Sequence, residues 1–388
     1  MTDSFDTFLQ NKPLYYKEID HKRVHIAYGL LKPSIKQPRT VHVVGTNGKG
    51  STGRMIAHLA YKSGLKVGHF SSPHILKFNE RIWLNGSDSR DEVLEEAHQR
   101  IFVILGGEMS ESLSYFEYTT LLAFVVFENC DLMVLEAGLG GEFDATNVCD
   151  KVLSVITPIG LDHQAFLGES IEEIAGTKIR SIQKQVLLAP QVYDEVLEVA
   201  QEIANQKGAK LHLPLCQTQR MRELEVIAQE RSWGEYLIEN ACIALQALDI
   251  LDIFYELNDL RSLELFGRFY PLTENIRIDV GHNPLAARAI EKALDKKVIL
   301  IYNSLDDKDY ETVLKILKPK VKHVEIIPIH SQRATTLNEI EKALEKVGIT
   351  YSYFDSKIDK NEHYLVFGSF YVVEEFLNKM QKKIDVPK

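Results

Sequence analysis

The segment that most restricts the fold is Val41-His42-Val43-Val44 followed by Gly45-Thr46-Asn47-Gly48-Lys49-Gly50-Ser51. The β-branched run favours an extended strand, and a helical pattern from about Ser51 to Ser63 begins where the glycines end. A strand that feeds a helix through a Gly-rich turn reads as a crossover unit, with the strand in a sheet and the helix on its face. The same turn aims backbone N–H groups inward beside a helix N-terminus, which suits phosphate oxygens. Lys49 can neutralise β- and γ-phosphate charge, and the Ser51 hydroxyl can ligate Mg2+. The loop is shorter than the common G-x-x-x-x-G-K-[ST] form. The competing reading is a plain Gly-rich turn, against which both Lys49 and Ser51 fall in the required places.

Further strands are expected at Leu65 to Phe70, Asp131 to Glu136 and Val152 to Thr157. The Asp131 strand ends in the cluster Gly138, Gly140, Gly141, and the Val152 strand in Pro158-Ile159-Gly160. The pattern restarts with strands at Ile276 to Val280, Lys297 to Tyr302, His323 to Ile327 and Tyr364 to Phe367. The expected fold is therefore α/β: an N-terminal mostly parallel sheet domain of the P-loop type over residues 1–262, and a smaller Rossmann-like α/β domain over 263–388. Ligands of such sheets sit beyond the carboxyl ends of the strands.

Among 388 residues, 45% are apolar, enough for two cores, and the formal net charge is −10. That balance argues against broad nucleic-acid binding. The four cysteines, Cys130, Cys149, Cys216 and Cys242, form no C-x-x-C pair and match no zinc spacing. They fit a reducing, cytoplasmic setting. The longest apolar run, Leu121 to Phe127, is far short of the ~20 residues a spanning helix needs. The expectation is no membrane segment, and a monomer.

Several residues sit where chemistry is expected. Glu136 ends a buried-type strand near the phosphate loop, a suitable magnesium ligand, although such a residue can equally be ion-paired. His163 follows the next strand and is a candidate second ligand, although a lone His there is more often structural. Lys178 reads as a surface charge from local sequence alone. In the second half, Arg268 can clamp phosphates and Asp279 can accept a ribose hydroxyl. Each of the two has a structural alternative.

Together these segments resemble the folylpolyglutamate synthase and dihydrofolate synthase family, within the wider group of Mur ligases. The resemblance also includes Ser71-Ser72-Pro73-His74, Phe78-Asn79-Glu80-Arg81-Ile82, Tyr115-Phe116-Glu117-Tyr118-Thr119, Glu136 to Asn147, Glu239-Asn240-Ala241, Gly267-Arg268-Phe269, Asp279 to Pro284 and Gly368-Ser369-Phe370-Tyr371. It implies ATP-dependent ligation of L-glutamate to dihydropteroate, and to folate glutamates, through an acyl phosphate. It implies ATP as co-substrate and two Mg2+ sites. Lys49, Glu136, His163 and Lys178 would be catalytic. Gly45, Thr46, Asn47, Gly48, Lys49, Gly50 and Ser51 would hold ATP, with Asn240, Arg268, Asp279 and His282 reaching it from across a domain cleft. Ser51, Glu136, His163 and Lys178, the last as a carbamate, would serve the metals. Phe116, Asp144 and Ala145 would hold the pterin, and Ser72, Arg81 and Ser369 the incoming glutamate.

The sequence departs from the family at named places. Residues 175–180 read Ala-Gly-Thr-Lys-Ile-Arg, where the family usually has Glu-Lys-Ala-Gly around the lysine. Glu142 stands where the family commonly has Arg, and Val44 replaces a usual small residue. Two other readings stay open. A Mur-type amino-acid ligase would need an N-terminal nucleotide domain, for which the about 40 residues before the loop strand leave no room. A non-catalytic nucleotide-binding protein would not need Glu136, His163, Asp279 and His282.

Overall fold

The computed structural model describes residues 3–12, 20, 22–215 and 218–381; Cys216 lies outside them. The chain divides into two compact units, Met1–Gln217 with Asn240–Leu260, and Thr218–Glu239 with Arg261–Lys388. The boundary expected from sequence, at 262/263, puts residues 218–239 in the first domain. Side chains there bond within the second unit instead: Arg231 Nη2 donates to Leu263 O at 2.8 Å, and Tyr236 O–H to Asp279 Oδ2 at 3.0 Å. No turn marks residue 239, because helix Glu235–Ile250 runs through it. Local sequence therefore carries no boundary signal at that point.

The first unit holds strands β1 (Arg39–Val44), β2 (Val67–Phe70), β3 (Ile82–Leu84), β4 (Ser87–Asp88), β5 (Leu132–Glu136), β6 (Leu153–Ile156), β7 (Gln185–Leu188) and β8 (Lys210–His212). Their order is β4-β3-β2-β5-β1-β6-β7-β8. Pairing is parallel from β2 through β8, with β3 and β4 antiparallel at one edge. All five residues of β5 are buried, as expected of a parallel strand covered on both faces. Met133 and Leu135 join a core with Tyr118, Leu121 and Phe124 of helix Tyr115–Val126. Helix Lys49–Lys62 approaches the sheet so closely at Gly53 that a Cβ there would lie 2.7 Å from His69 Nε2. A separate cluster joins Val44 and Ile156 to Ile174, Ile179 and Val186.

Two capping boxes, Ser114 with Glu117 and Ser170 with Glu173, start helices Tyr115–Val126 and Ile171–Ile179. Each is a local S-x-x-E pattern that satisfies otherwise orphaned N–H groups.

In the second unit, β9 (Tyr270–Pro271), β10 (Ile276–Ile278), β11 (Val298–Tyr302), β12 (Val321–Ile326), β13 (Tyr351–Tyr353) and β14 (Tyr364–Phe367) run in the order β13-β12-β11-β14-β10-β9. Only β9 is antiparallel to its neighbour. Leu300, Val324, Leu365 and Phe367 pack with Val313 and Leu344. The expected α/β class with a larger and a smaller sheet is found. No described helix is long and apolar enough to cross a membrane.

Candidate active site

Register decides what meets at the sheet edge. β1 lies between β5 and β6, with Val43 opposite Glu136 and Val44 opposite Ile156. The three strands therefore finish together, and the segments after them share one end of the sheet. The phosphate loop is pinned there: Thr46 N and Asn47 N donate to Pro158 O at 3.0 and 3.1 Å. Thr46 Oγ1 exchanges hydrogen bonds with Gly160 at 3.1 Å. Gly48, with φ of +83°, leaves the Asn240 side chain room that a Cβ would fill, at 2.8 Å from Oδ1. Helix Lys49–Lys62 starts directly after it, so its first-turn N–H groups face the loop mouth.

Lys49 Nζ donates to Gly45 O and Thr46 O, both at 3.2 Å. Ser51 Oγ donates to Gly48 O at 3.2 Å and accepts from Asn240 Nδ2 at 2.9 Å. Asn240 was expected to reach the nucleotide from the other domain; it belongs to the first unit and touches the phosphate loop itself.

Glu136 is buried, and its Oε2 accepts from Ser72 N at 3.2 Å. Lys178, far from being a surface charge, is also buried and donates to Gly45 O at 3.0 Å. Burial first, and then the Lys49 charge, pull its pKa down to about 7, against the opposing pull of Asp162 and Asp144. Near neutral pH a large share of this amine is therefore uncharged. His163 sits at φ of 54°, with its N–H on Asp162 Oδ1 at 2.9 Å. Asp162, not chosen from sequence, is buried beside it. Its adjacency to His163 was the available signal.

On the other side of Glu136, Gly138 lies against Phe116: a Cβ there would fall 2.6 Å from the ring Cζ. Asp144 is buried, and its oxygens accept from Leu139 N at 2.8 Å, Thr146 N at 2.9 Å and Thr146 Oγ1 at 2.5 Å. Burial raises its pKa while those donors hold it down. This carboxylate organises the loop that carries the buried Ala145.

Arg81 is buried, its Nε donating to His74 Nδ1 at 2.8 Å and its guanidinium 5.2 Å from the Tyr115 ring centre. Burial, then the Arg81 charge, lower the His74 pKa to about 4. The ring is therefore neutral and able to accept. Glu80 collects N–H groups of Ile75, Leu76 and Lys77, each at 2.7 Å. Ser72 and Arg81 thus stand on a loop wired by its own side chains. Neither His74 nor Glu80 was singled out for this work from sequence.

The second unit has its own strand-end cluster. Asp279, just beyond β10, is buried and accepts from Tyr236 O–H at 3.0 Å, Phe269 N at 2.8 Å and Gly281 N at 2.7 Å. Burial raises its pKa, opposed first by the Arg268 charge. Arg268 lies 5.6 Å from the Phe370 ring centre. The His282 Nδ1 is 3.2 Å from Val280 O. Ser369 Oγ accepts from Val372 N at 3.2 Å and caps helix Phe370–Met380. Tyr236 was missed, since nothing near it in sequence points to Asp279.

Among the described residues no group of three or more His, Cys, Asp and Glu could by itself hold a metal. The available donors are the Glu136 carboxylate and the Ser51 hydroxyl beside a phosphate loop. Such a set suits Mg2+, which keeps waters and binds through one or two protein oxygens plus substrate phosphates.

No protein-family model matches the chain. The chain is 32% identical over 412 residues to the dihydrofolate synthase/folylpolyglutamate synthase of Escherichia coli (strain K12), across 95% of this chain and 93% of that one. Its structure is similar to the crystal structure of Helicobacter pylori folylpolyglutamate synthetase, with 41% identity, a TM-score of 0.78, and 97% and 98% of the two chains covered. It is also similar to the bifunctional folylpolyglutamate synthase/dihydrofolate synthase of Yersinia pestis complexed with AMPPNP and Mn ion, with 26% identity, a TM-score of 0.82 and 97% of each chain covered.

Proposed function

Because the chain belongs to the dihydrofolate synthase/folylpolyglutamate synthase family, a Mur ligase-type family, it is an ATP-dependent ligase, and we propose how its residues share the work. It joins L-glutamate to dihydropteroate and to folate glutamates. The γ-phosphoryl group passes from ATP to the acceptor carboxylate, leaving ADP and an acyl phosphate. The glutamate amine then attacks the acyl carbon, and the tetrahedral adduct expels phosphate to leave the amide. Phosphoryl transfer asks the protein for charge neutralisation and in-line placement rather than a nucleophile.

The phosphate loop, Gly45 to Ser51, holds the nucleotide phosphates. Lys49 leaves its own loop carbonyls to meet the β/γ-phosphates. Asn240 orients Ser51 through their hydrogen bond. Ser51 and Glu136 would hold one Mg2+, and His163 with Lys178 would serve a second. The bound metal supplies charge neutralisation on the phosphates. Support for a divalent metal comes from the Mn and AMPPNP bound by the Yersinia pestis relative. Lys178 is assigned to carbamylation, because capture of CO2 needs an unprotonated amine and burial brings its pKa to about 7. Phe116, with the loop of Asp144 and Ala145, takes the pterin. Arg81 and Ser72 take the incoming glutamate through its carboxylate. In the second unit Arg268, Asp279 and His282 are assigned to nucleotide and Ser369 to glutamate. A cytoplasmic setting, with which the free Cys130, Cys149 and Cys242 accord, and a monomeric state belong to the same proposal.

One observation carries this reading. The phosphate loop, Glu136 and Lys178 meet at the ends of adjacent parallel strands, and Phe116 packs two residues beyond Glu136. The test is phosphate release from Mg·ATP and L-glutamate with dihydropteroate, with a reduced folate, and with neither. Release with both acceptors is expected. Silence with both, from folded protein that binds ATP, would overturn the assignment.

A further inference from the structure

The loop from Gly138 to Asn147 joins two parts of the site. At one end Gly138 lies against Phe116. Further along, Gly141 lies against the backbone of the lysine helix: a Cβ there would fall 2.4 Å from Lys178 O. Glycines at 138, 140 and 141 make such a segment entropically costly to hold in one shape. Something must fasten it.

The fastening converges on Glu142. Its N–H donates to Thr177 O at 2.9 Å, and its C=O accepts from Asn147 Nδ2 at 2.7 Å. Its carboxylate Oε2 accepts from Arg180 Nε at 2.5 Å. The Arg180 guanidinium lies across Gly176, where a Cβ would fall 2.7 Å from Nη1. Behind the loop the buried Lys151 ammonium donates to Asn147 Oδ1 and, at 3.0 Å, to Ser181 O. Ser181 Oγ in turn donates to Lys178 O at 2.8 Å. One side of this brace holds the acceptor loop and the other holds the end of the helix carrying Lys178. The charges of Glu142 and Arg180 are complementary.

We propose that Glu142, Arg180 and Lys151 are positioning residues that hold the Gly138–Asn147 loop against the Lys178 helix and thereby set the affinity for the acceptor. The inference rests on the assignment of Phe116 and its loop to the acceptor. A half-exposed ion pair adds little to global stability. Loosening this one should therefore appear in acceptor binding rather than in melting.

The test compares wild type, Glu142→Arg, Arg180→Glu and the double charge swap. It measures KM for dihydropteroate and for ATP, direct dihydropteroate binding by titration calorimetry, and Tm. Each single substitution should raise the dihydropteroate KM and Kd roughly three- to tenfold, with ATP KM and Tm nearly constant, and the swap should recover most of the loss. Lys151→Met should weaken dihydropteroate binding in the same sense; a folded Lys151→Met protein with unchanged Kd would remove Lys151 from the proposal. Single variants whose dihydropteroate Kd stays within about twofold of wild type would overturn the brace. So would a parallel rise in both KM values with a fall in Tm, which is the mark of a merely structural role. Failure of wild type itself to bind dihydropteroate would instead overturn the acceptor assignment beneath it.

Discussion

Lys49 and Lys178 donate to the same atom, the carbonyl oxygen of Gly45, at 3.2 and 3.0 Å. Two ammonium groups on one oxygen repel each other, and the Lys49 charge is the second cause, after burial, of the lowered Lys178 pKa. Lys49 is solvent-facing enough to leave for a phosphate, whereas Lys178 is buried. The loop therefore carries one half-buried cation and one enclosed amine.

Lys49→Ala should lower kcat by roughly a hundredfold or more, because the cation proposed to neutralise the transferring phosphoryl group is lost. Initial rates of phosphate release measure this, and near-normal turnover would remove the phosphate-loop assignment.

Stability should rise with pH between about 7 and 9. Lys178 is held at about 7, and Lys12 and Lys151 at about 8, all below the usual lysine value of 10.5. In that window the unfolded chain binds more protons than the folded one, so each rise in pH favours folding, by at most ~1.4 kcal/mol per pH unit for each proton of difference. Below about 7 all three are charged in both states and the gain is absent. Denaturant titrations in CO2-free buffer should show the slope, and Lys178→Met should flatten its lower end. An equal slope in the variant would mean that Lys178 is already charged at neutral pH.

Gly138→Ala places a methyl group 2.6 Å from Phe116 Cζ. The ring must move, and dihydropteroate KM should rise roughly tenfold with ATP KM unchanged. Adding Phe116→Leu should relieve the clash, so the two substitutions should be non-additive. Additive effects in the double-mutant cycle would separate Phe116 from this loop.

His282→Ala should raise ATP KM roughly three- to tenfold, the size of one lost hydrogen bond, with dihydropteroate KM constant. Unchanged kinetics would remove His282 from the proposed nucleotide site.

The phosphate loop, the strand ending at Glu136 and the restart of the α/β pattern at Ile276 were all legible in sequence. Each depends on residues within a few positions of one another: β-branched runs and glycines at turns. Residues that act through distant partners left no such trace. Asn240 meets Ser51 across a separation of 189 residues, and Lys178 meets Gly45 across 133. Tyr236 reaches Asp279 across 43, from a stretch assigned to the other domain on local grounds. Sequence by itself thus determined the Gly-rich loop proposed for phosphate and the strands that flank it. Tertiary structure alone decided that Lys178 is a buried, readily neutral amine rather than a surface charge, and that Glu142 is braced by Arg180. Desolvation and ion pairing depend on which surfaces pack together, and that packing is set by the register of β5, β1 and β6 and the helices laid over them.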